Sequence, residues 1–383
     1  MSEMRLLIAG GGTGGHLYPG IAIAEEVMSR PGGEVLFVGT ARGLETKLVP
    51  AAGFRLELLD VSGLNRVGFR ALLKGLLRLP RAFFQSRAVL NRFRPDLVIG
   101  VGGYASGPMV FTAALLGYPT AIQEQNSHPG FTNRILGRLV KRVFVAFEHA
   151  QSFFALSKLS LVGNPVRRRF LSALVANGPG DNASIAAHAD HAADGLSDRV
   201  LVVGGSQGAR AVNDMVLGAV AQLQAAGRLP RIIHQTGPFD EARVKQRYAE
   251  LGVSPEAIEV RAFIDDMPSV VKSAGLVIGR AGALTLAELA IVGRPAILIP
   301  LPTAADDHQT RNAAEFANAG AAVVLDQRAT NPNELARMVI DLLSDKSRRT
   351  RMAEAMARLG KPNAAREIVD NLAGMSASAK GNN

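Results

Sequence analysis

Short runs of aliphatic and β-branched residues alternate with longer, helix-like patterns along almost the whole chain. The runs are nearly continuously apolar, which is typical of strands in a parallel sheet that helices cover on both faces. The pattern therefore predicts an α/β protein with strands at residues 5–10, 34–39, 54–61, 96–103, 120–125, 142–147, 159–164, 199–205, 231–237, 257–263, 276–282, 295–301 and 321–326.

The strands form two sets, which predicts two doubly wound domains with a boundary between Gly163 and Arg169. We expect an N-terminal domain at 1–163, a C-terminal domain at 164–358, and a last segment, 359–383, whose helix packs back on the N-terminal domain. A length of 383 residues fits two domains. Because such folds bind ligands at the carboxyl ends of their strands, we expect the site in a cleft between the domains.

One segment, residues 177–195, fits neither domain. It is rich in Ala, Asp, Gly and Asn, which predicts a mobile surface insertion. We expect its two histidines, His188 and His191, to be solvated rather than to bind a metal.

Composition narrows the class of protein. Hydrophobic residues make up 48% and charged residues 20%, as in a globular protein with a buried core, and the absence of cysteine excludes disulfides and thiolate metal sites. No apolar run is long enough to span a bilayer, and no secretory signal is visible, so we expect a cytoplasmic protein. The net charge of +10 favours anionic partners: nucleic acid, anionic lipid or a phosphorylated substrate.

A glycine-rich stretch, GGGTGGHLYPG, follows the first predicted strand and satisfies G-x-G-x-x-G through Gly10, Gly12 and Gly15. Glycine lets the backbone approach a ligand closely, and the helix that follows offers unpaired N–H groups to an anion. A dinucleotide-binding enzyme would need an acidic residue at the end of the second strand. That strand ends Val38-Gly39-Thr40, without a carboxylate, which disfavours this alternative.

Similar loops recur after later strands, at 100–108, 204–210 and 279–289. A single loop of this kind is a common tight turn between a strand and a helix. Four of them spread over both predicted domains indicate a site lined by backbone N–H groups, which suits a diphosphate and polyhydroxyl substrates.

Eight motifs together resemble the MurG family of bacterial N-acetylglucosaminyltransferases. They occur in the order GGGTGGHLYPG, GGYASGP, QEQN, GNPVR, GGSQGAR, FIDDMP, RAGALTLAE and DDHQTRNA, over most of the chain. The resemblance implies a GT-B fold, with two Rossmann-like domains facing across a cleft. It also implies inverting transfer of GlcNAc from UDP-GlcNAc to the MurNAc 4-hydroxyl of undecaprenyl-pyrophosphoryl-MurNAc-pentapeptide (lipid I), which forms lipid II.

The resemblance further implies that the partners are UDP-GlcNAc and lipid I, and no nucleic acid. Because the polyprenyl tail of lipid I stays in the bilayer, we also expect an anionic membrane surface at the cytoplasmic face as a partner. It implies no cofactor and no metal, and the chain contains no Asp-x-Asp string that would hold a divalent ion on a diphosphate. Two alternatives stay open: a related lipid glycosyltransferase with another UDP-sugar or acceptor, and a non-catalytic module that binds a nucleotide sugar or a dinucleotide.

The resemblance assigns the donor site mainly to the second domain. Glu288 would bind the ribose diol, Ser206 a phosphate and the Ile264 backbone the uracil edge. Arg167 would contact the nucleotide and Gln309 the sugar, with Asn312 as a weaker candidate. The helix start before Glu288 would complete this site through Ala283, Leu284, Thr285, Leu286 and Ala287.

The first domain would supply the acceptor site and part of the catalytic machinery. Thr13, Gly14 and Gly15 would hold the donor or the acceptor diphosphate, and Asn126 would contact the transferred sugar. The acceptor-side candidates are Tyr104, Ser106 and Asn133.

Two residues compete for the role of general base. His16 follows the first glycine loop at a helix start, where the helix dipole favours the neutral imidazole that a base requires. Glu124 is the alternative, because a partly buried carboxylate also takes a hydroxyl proton. The family often has His at the position of Gln123, so a role that depends on that His is lost in this chain.

The stretch at 68–84 carries an apolar stripe of Phe69, Leu72, Leu73, Leu76 and Leu77, flanked by Arg70, Lys74, Arg78 and Arg81. Such a helix either lies on an anionic bilayer or packs its stripe against the sheet. We expect Pro80 to kink or end this helix.

Overall fold

A computed structural model describes residues 4–61, 69–175, 196–205 and 207–380. The side chains of 69–79, 173–175 and 378–380 are not part of this description, and the predicted insertion at 177–195 also lies outside it. The chain forms two compact units. Unit 1 comprises Met1–Arg168 and Lys361–Asn383, and unit 2 comprises Arg169–Gly360.

Unit 1 contains a seven-stranded parallel sheet in the order β3-β2-β1-β4-β5-β6-β7. Successive residues of β1 point to opposite faces, so Leu6 and Ile8 enter one core while Leu7 and Ala9 enter the other. The strands are β1 Met4–Ala9, β2 Gly33–Thr40, β3 Arg55–Leu59, β4 Leu97–Gly100, β5 Thr120–Glu124, β6 Arg142–Val145 and β7 Leu159–Leu161.

Helices cover both faces of this sheet, and each follows a strand in the doubly wound pattern. They are α1 Gly14–Met28, α2 Glu45–Ala51, α3 Phe69–Phe93, α4 Ser106–Leu115 and α5 Phe131–Leu139; short 3₁₀ turns follow at His149–Phe153 and Leu156–Lys158. The last helix of the chain, α14 (Ala364–Lys380), packs against α1 and adds Ile368, Val369 and Leu372 to the core on that side.

Unit 2 repeats the architecture with a six-stranded parallel sheet in the order β10-β9-β8-β11-β12-β13. The strands are β8 Val200–Val203, β9 Ile232–Gln235, β10 Ile258–Arg261, β11 Leu276–Gly279, β12 Ala296–Leu298 and β13 Ala322–Val324. The helices are α6 Arg168–Val175, α7 Arg210–Ala225, α8 Glu241–Glu250, α9 Met267–Ser273, α10 Ala283–Val292, α11 His308–Asn318, α12 Pro332–Ser344 and α13 Lys346–Arg358, with a 3₁₀ turn at Ala305–Asp307.

The strands predicted from the apolar runs are confirmed, and so are the two Rossmann-like parallel sheets. The expectation that the helix of the amphipathic stretch could end at Pro80 is wrong, because α3 continues through this proline to Phe93. The Pro80 ring is exposed on one side of this long helix. Proline removes a single backbone hydrogen bond there, and the hydrogen bonds of the neighbouring turns keep the helix continuous. None of the helices in the described ranges is long and apolar enough to cross a bilayer.

Candidate active site

The first glycine loop connects β1 to α1 in unit 1. It runs from Gly10 to Thr13, and Gly12 has a φ of 89°, a left-handed conformation that favours glycine. Helix α1 begins at Gly14 with Thr13 as its N-cap, and the first amides of a helix have no partner within it. His16 stands in this first turn, half-buried, with its Nδ1 3.4 Å from Thr13 Oγ1.

The second glycine loop, which follows β4, packs directly against the first. A Cβ on Gly103 would come within 2.2 Å of the Gly11 carbonyl oxygen, and the Gly11 N–H donates to the Gly102 carbonyl oxygen at 3.2 Å. A Cβ on Gly102 would meet His16 Cδ2 at 2.7 Å, so the imidazole packs on this glycine. The two loops therefore form one backbone surface that brings together the predicted residues Thr13, Gly14, Gly15 and His16.

Glu124 ends β5 and is buried. Its Oε1 accepts from the Asn126 backbone N–H at 2.9 Å and from the Asn126 side-chain amide at 3.3 Å. Its Oε2 accepts from the Gly130 N–H at 3.2 Å and from Asn133 Nδ2 at 2.9 Å. Burial raises the pKa of Glu124, although these hydrogen bonds oppose the rise. Because the chain's own donors occupy both oxygens, the arrangement suits a carboxylate that orients Asn126.

The predicted acceptor residues differ in exposure. The Tyr104 side chain is 52% exposed at the second glycine loop. Ser106 is fully buried, and its Oγ lies where a Cβ on Gly100 would approach within 2.4 Å. Asn133 is also buried, with its amide on Glu124. A direct acceptor contact through the Ser106 or Asn133 side chain, as expected from the sequence, does not fit this burial.

Two long side chains connect other motifs to these loops. The Arg167 guanidinium lies 4.1 Å from the centre of the Tyr18 ring, a cation–π contact that places Arg167 beside α1 within unit 1. Gln125 Nε2 donates to the Val101 carbonyl oxygen at 2.8 Å, which ties the end of β5 to the second glycine loop.

In unit 2 the third glycine loop, after β8, rests on the end of β9. A Cβ on Gly208 would lie 2.1 Å from the Thr236 carbonyl oxygen, and one on Gly237 would lie 2.5 Å from Gly208 Cα. Gln235 Nε2 donates to the Gly205 carbonyl oxygen at 2.8 Å. The predicted phosphate ligand Ser206, in the middle of this loop, lies outside the described residues.

A buried polar network supports the third loop from below. Asn213 Nδ2 donates to the Thr236 carbonyl oxygen at 3.1 Å and to Asp240 Oδ2 at 2.7 Å. His234 contacts Asn213 Oδ1 through Nε2 at 3.1 Å and the Tyr248 hydroxyl through Nδ1 at 2.8 Å. Burial lowers the pKa of His234 to about 3, despite the charge of Asp240, so this imidazole is neutral at physiological pH.

The fourth loop leads into α10, whose N-cap is Gly282. Glu288 lies in the second turn of α10 and is 8% exposed. Gln309 Oε1 accepts from the Leu301 N–H at 3.0 Å, and Asn312 Nδ2 donates to the Ala281 carbonyl oxygen at 3.4 Å. The Gln309 contact thus ties α11 to the segment after β12, and the Asn312 contact ties it to the turn before α10.

The other predicted residues of this helix start vary in burial. Leu284, Thr285 and Ala287 are half-buried, whereas Ala283 and Leu286 are buried. Ile264 is 1% exposed as a whole residue, and the expected contact of its backbone with the uracil edge stays a prediction. Among the described residues, no group of three or more His, Asp or Glu side chains is placed to hold a metal ion.

Sequence reasoning missed the buried carboxylate of Glu45. It accepts from the Gly12 N–H at 2.7 Å, and from the Thr40 N–H and Oγ1 at 2.8 Å each. The sequence contains part of the signal for this residue. An acidic residue in the first turn of a helix is common, and Glu45 follows the end of β2 by five residues. Its contact with the first glycine loop depends on the fold and is not visible in the sequence.

Both units match glycosyltransferase family 28. The N-terminal domain of that family matches residues 6–145, and its C-terminal domain matches residues 199–370. With its two parallel-sheet domains matched in this way, the chain is a two-domain glycosyltransferase.

Individual relatives narrow this class. A UDP-N-acetylglucosamine--N-acetylmuramyl-(pentapeptide) pyrophosphoryl-undecaprenol N-acetylglucosamine transferase from Anaeromyxobacter dehalogenans is 49% identical over 96% of this chain and 92% of its own length. The protein of the same name from Myxococcus xanthus is 48% identical with the same coverage. The crystal structure of Acinetobacter baumannii MurG covers 97% of this chain and 99% of its own at 32% identity, with a TM-score of 0.76. The chain belongs to the MurG family within glycosyltransferase family 28.

The neutral state of His234 predicts that acid destabilises the protein. The folded pKa, about 3, lies below the ordinary value of 6.5 that applies in the unfolded chain. The unfolded state therefore gains a proton that the folded state does not, and the stabilising contribution is lost as the pH falls from 6.5 towards 3.

We expect the free energy of unfolding of wild type, relative to His234→Gln, to fall by about 2 kcal/mol between pH 7.5 and 5. Urea unfolding at the two pH values, for both proteins, measures this difference. An equal pH dependence of the two proteins would show that His234 is not held neutral by the fold.

Proposed function

We propose that this enzyme transfers GlcNAc from UDP-GlcNAc to the MurNAc 4-hydroxyl of lipid I and so forms lipid II. The supporting similarity is close: relatives named for this transfer are 48–49% identical over 96% of the chain. The geometric observation that carries the proposal is His16, held in the first turn of α1 against the second glycine loop. A half-buried imidazole in the first turn of a helix suits a base acting on a sugar hydroxyl.

The chemical step is a single displacement. His16 takes the proton of the MurNAc 4-hydroxyl while that oxygen attacks C1 of GlcNAc. The bond from C1 to the UDP oxygen breaks, UDP leaves with the electron pair, and the anomeric centre inverts. Backbone N–H groups of the glycine loops and helix starts stabilise the charge on the departing diphosphate.

Glu124 serves as a positioning group in this mechanism. Its two oxygens already accept hydrogen bonds from Asn126, Gly130 and Asn133. A substrate hydroxyl would have to displace one of these donors before it could transfer a proton. The role that fits these contacts is to orient Asn126 towards the transferred sugar.

Unit 2 supplies the site for UDP. Glu288, on α10, accepts hydrogen bonds from the ribose diol, because a carboxylate offers two oxygens to neighbouring hydroxyls. The first amides of α10 and of the third glycine loop bind the diphosphate, and the Ile264 backbone contacts the uracil edge. Gln309, held against Leu301, contacts the GlcNAc moiety.

The enzyme works as a peripheral protein at the cytoplasmic face of the membrane, because the polyprenyl tail of its acceptor stays in the bilayer. Helices α3, α4 and α5 pack side by side in unit 1. The stripe at 69–77 was assigned from sequence, and its side chains lie outside the described part of α3. The neighbouring helices add exposed apolar side chains: Phe111, Leu115, Phe131, Ile135 and Leu139. Exposed Arg138 and Lys141 supply positive charge nearby, as an anionic surface requires.

His16→Ala should lower kcat by about a hundredfold, because the base that takes the hydroxyl proton is lost. Affinity for UDP should stay unchanged, since the nucleotide binds to unit 2. Steady-state kinetics with a short-chain lipid I analogue measures the first effect and calorimetry the second. Replacement of the exposed His149 by Ala is the matched control in the same unit. Normal turnover of His16→Ala would move the role of base to Glu124.

Glu288→Ala should weaken the binding of UDP and UDP-GlcNAc by about 1.5–3 kcal/mol, the range for a hydrogen bond to a charged group. Calorimetric titration with UDP measures the loss. Glu250→Ala, an exposed carboxylate at the end of α8, controls for the change in net charge. Unchanged UDP affinity of the Glu288 variant would rule out the ribose contact.

Replacing Arg70, Lys74 and Arg78 by Gln should abolish sedimentation of the enzyme with anionic vesicles, because each cation near the surface contributes about 1 kcal/mol. Turnover of a soluble, short-chain acceptor should survive. A variant with Gln at the exposed Arg228, Lys245 and Arg247 of unit 2 removes the same charge elsewhere and should still sediment. If the α3 variant sediments like wild type, this helix is not the membrane contact.

A further inference from the structure

Glu45 is a buried carboxylate that takes no direct part in the proposed transfer step. It is the first residue of α2, and its relative exposure is 0%. Burial alone would raise its pKa, but hydrogen bonds from Gly12 and Thr40 lower it below the ordinary value. The side chain is therefore an anion at neutral pH, enclosed beneath the first glycine loop.

Three glycines leave the space that this carboxylate occupies. A Cβ would lie 2.3 Å from Glu45 Oε1 at Gly11, 2.6 Å from its Cγ at Gly39 and 1.9 Å from its Oε2 at Gly43. Two of these glycines lie outside the first loop, at the end of β2 and in the turn before α2. These three glycines thus make room for the buried carboxylate of Glu45.

The Glu45 carboxylate binds the first glycine loop at Gly12, the residue with a left-handed backbone conformation. Gly12 donates its N–H to Glu45 Oε2 at 2.7 Å and has a φ of 89°. That N–H is consequently engaged inside the protein and is not offered to a substrate phosphate. Thr13, the N-cap of α1, is the next residue, and His16 lies three residues after Thr13.

The loop is clamped from both sides. Glu45 holds it from below, while Gly103 and Gly102 of the second loop contact Gly11 and His16. If Gly12 moved, the start of α1 would move with it, because no flexible segment separates the two. A displacement of about 1 Å at a reacting group is enough to slow a transfer step.

We propose that Glu45 is a positioning residue for His16: its buried carboxylate acts as the permanent anion of the first glycine loop and fixes Gly12, and through Gly12 the start of α1. This role rests on the proposed function of His16 as the base. It predicts that Glu45 contributes to the rate of transfer and not to the binding of UDP-GlcNAc.

Glu45→Gln tests the role, because one oxygen becomes an NH₂ group that faces N–H donors. We expect kcat per folded enzyme to fall by at least about tenfold, with KM for UDP-GlcNAc within about twofold of wild type. Thermal unfolding establishes the folded fraction. Glu34→Gln is the control, since Glu34 is a more exposed carboxylate of the same sheet, paired with Arg5. A wild-type kcat for Glu45→Gln would overturn the proposal.

The double variant His16→Ala/Glu45→Gln separates this role from the assignment of the base. If Glu45 acts through His16, the double variant is as slow as His16→Ala alone, within about twofold. Two effects that multiply would overturn the positioning role. Normal turnover of His16→Ala would overturn the base assignment and this proposal with it, whereas a slow His16→Ala beside a normal Glu45→Gln would overturn this proposal alone.

Thr40→Val provides a second variant if Glu45→Gln does not fold. It keeps the carboxylate and the Thr40 N–H but removes the hydroxyl that donates to Oε1 at 2.8 Å. We expect kcat to fall by about two- to fivefold with an unchanged KM for UDP-GlcNAc. An unchanged kcat for this folded variant would overturn the proposal.

Discussion

Close approach of backbone to backbone at the carboxyl ends of parallel strands is the constraint on which both units depend. In unit 1, Gly103 lies where a Cβ would come within 2.2 Å of the Gly11 carbonyl oxygen, and in unit 2, Gly208 stands in the same relation to Thr236 at 2.1 Å. Only glycine fits at such distances. The backbone of one loop therefore packs directly on the backbone of its neighbour. Each loop leads into a helix whose first amides lie at the edge of a sheet.

The charge state of each buried titratable group depends on the hydrogen-bond donors around it. Glu45 meets N–H and O–H donors, so its pKa falls in spite of burial. Burial dominates for Glu124, whose pKa rises, and for His234, which stays neutral under the third loop. Glu45 thus holds the first loop, and Gln235 holds the third, through hydrogen bonds inside the protein.

The sequence was sufficient for the fold because apolar runs of strand length alternate with helical patterns from β1 to β13. It also singled out His16, Glu288 and Gln309, since each follows a glycine loop or stands in a motif that resembles the family, and their roles stay predictions. Glu45 and the network around His234 were missed, because their partners are distant in sequence and meet only in the folded chain. Ser106 was placed at the acceptor for its position in a loop, but the fold turns its side chain into the core.

Turnover of UDP-GlcNAc with a short-chain lipid I analogue tests the central claim, that this chain is the transferase which forms lipid II. The reaction products, identified by mass and glycosidic linkage, should contain one β-1,4-linked GlcNAc for each UDP released, and UDP should appear only when both substrates are present. Consumption of UDP-GlcNAc at the same rate without the acceptor, or faster transfer from a different UDP-sugar, would contradict the assignment.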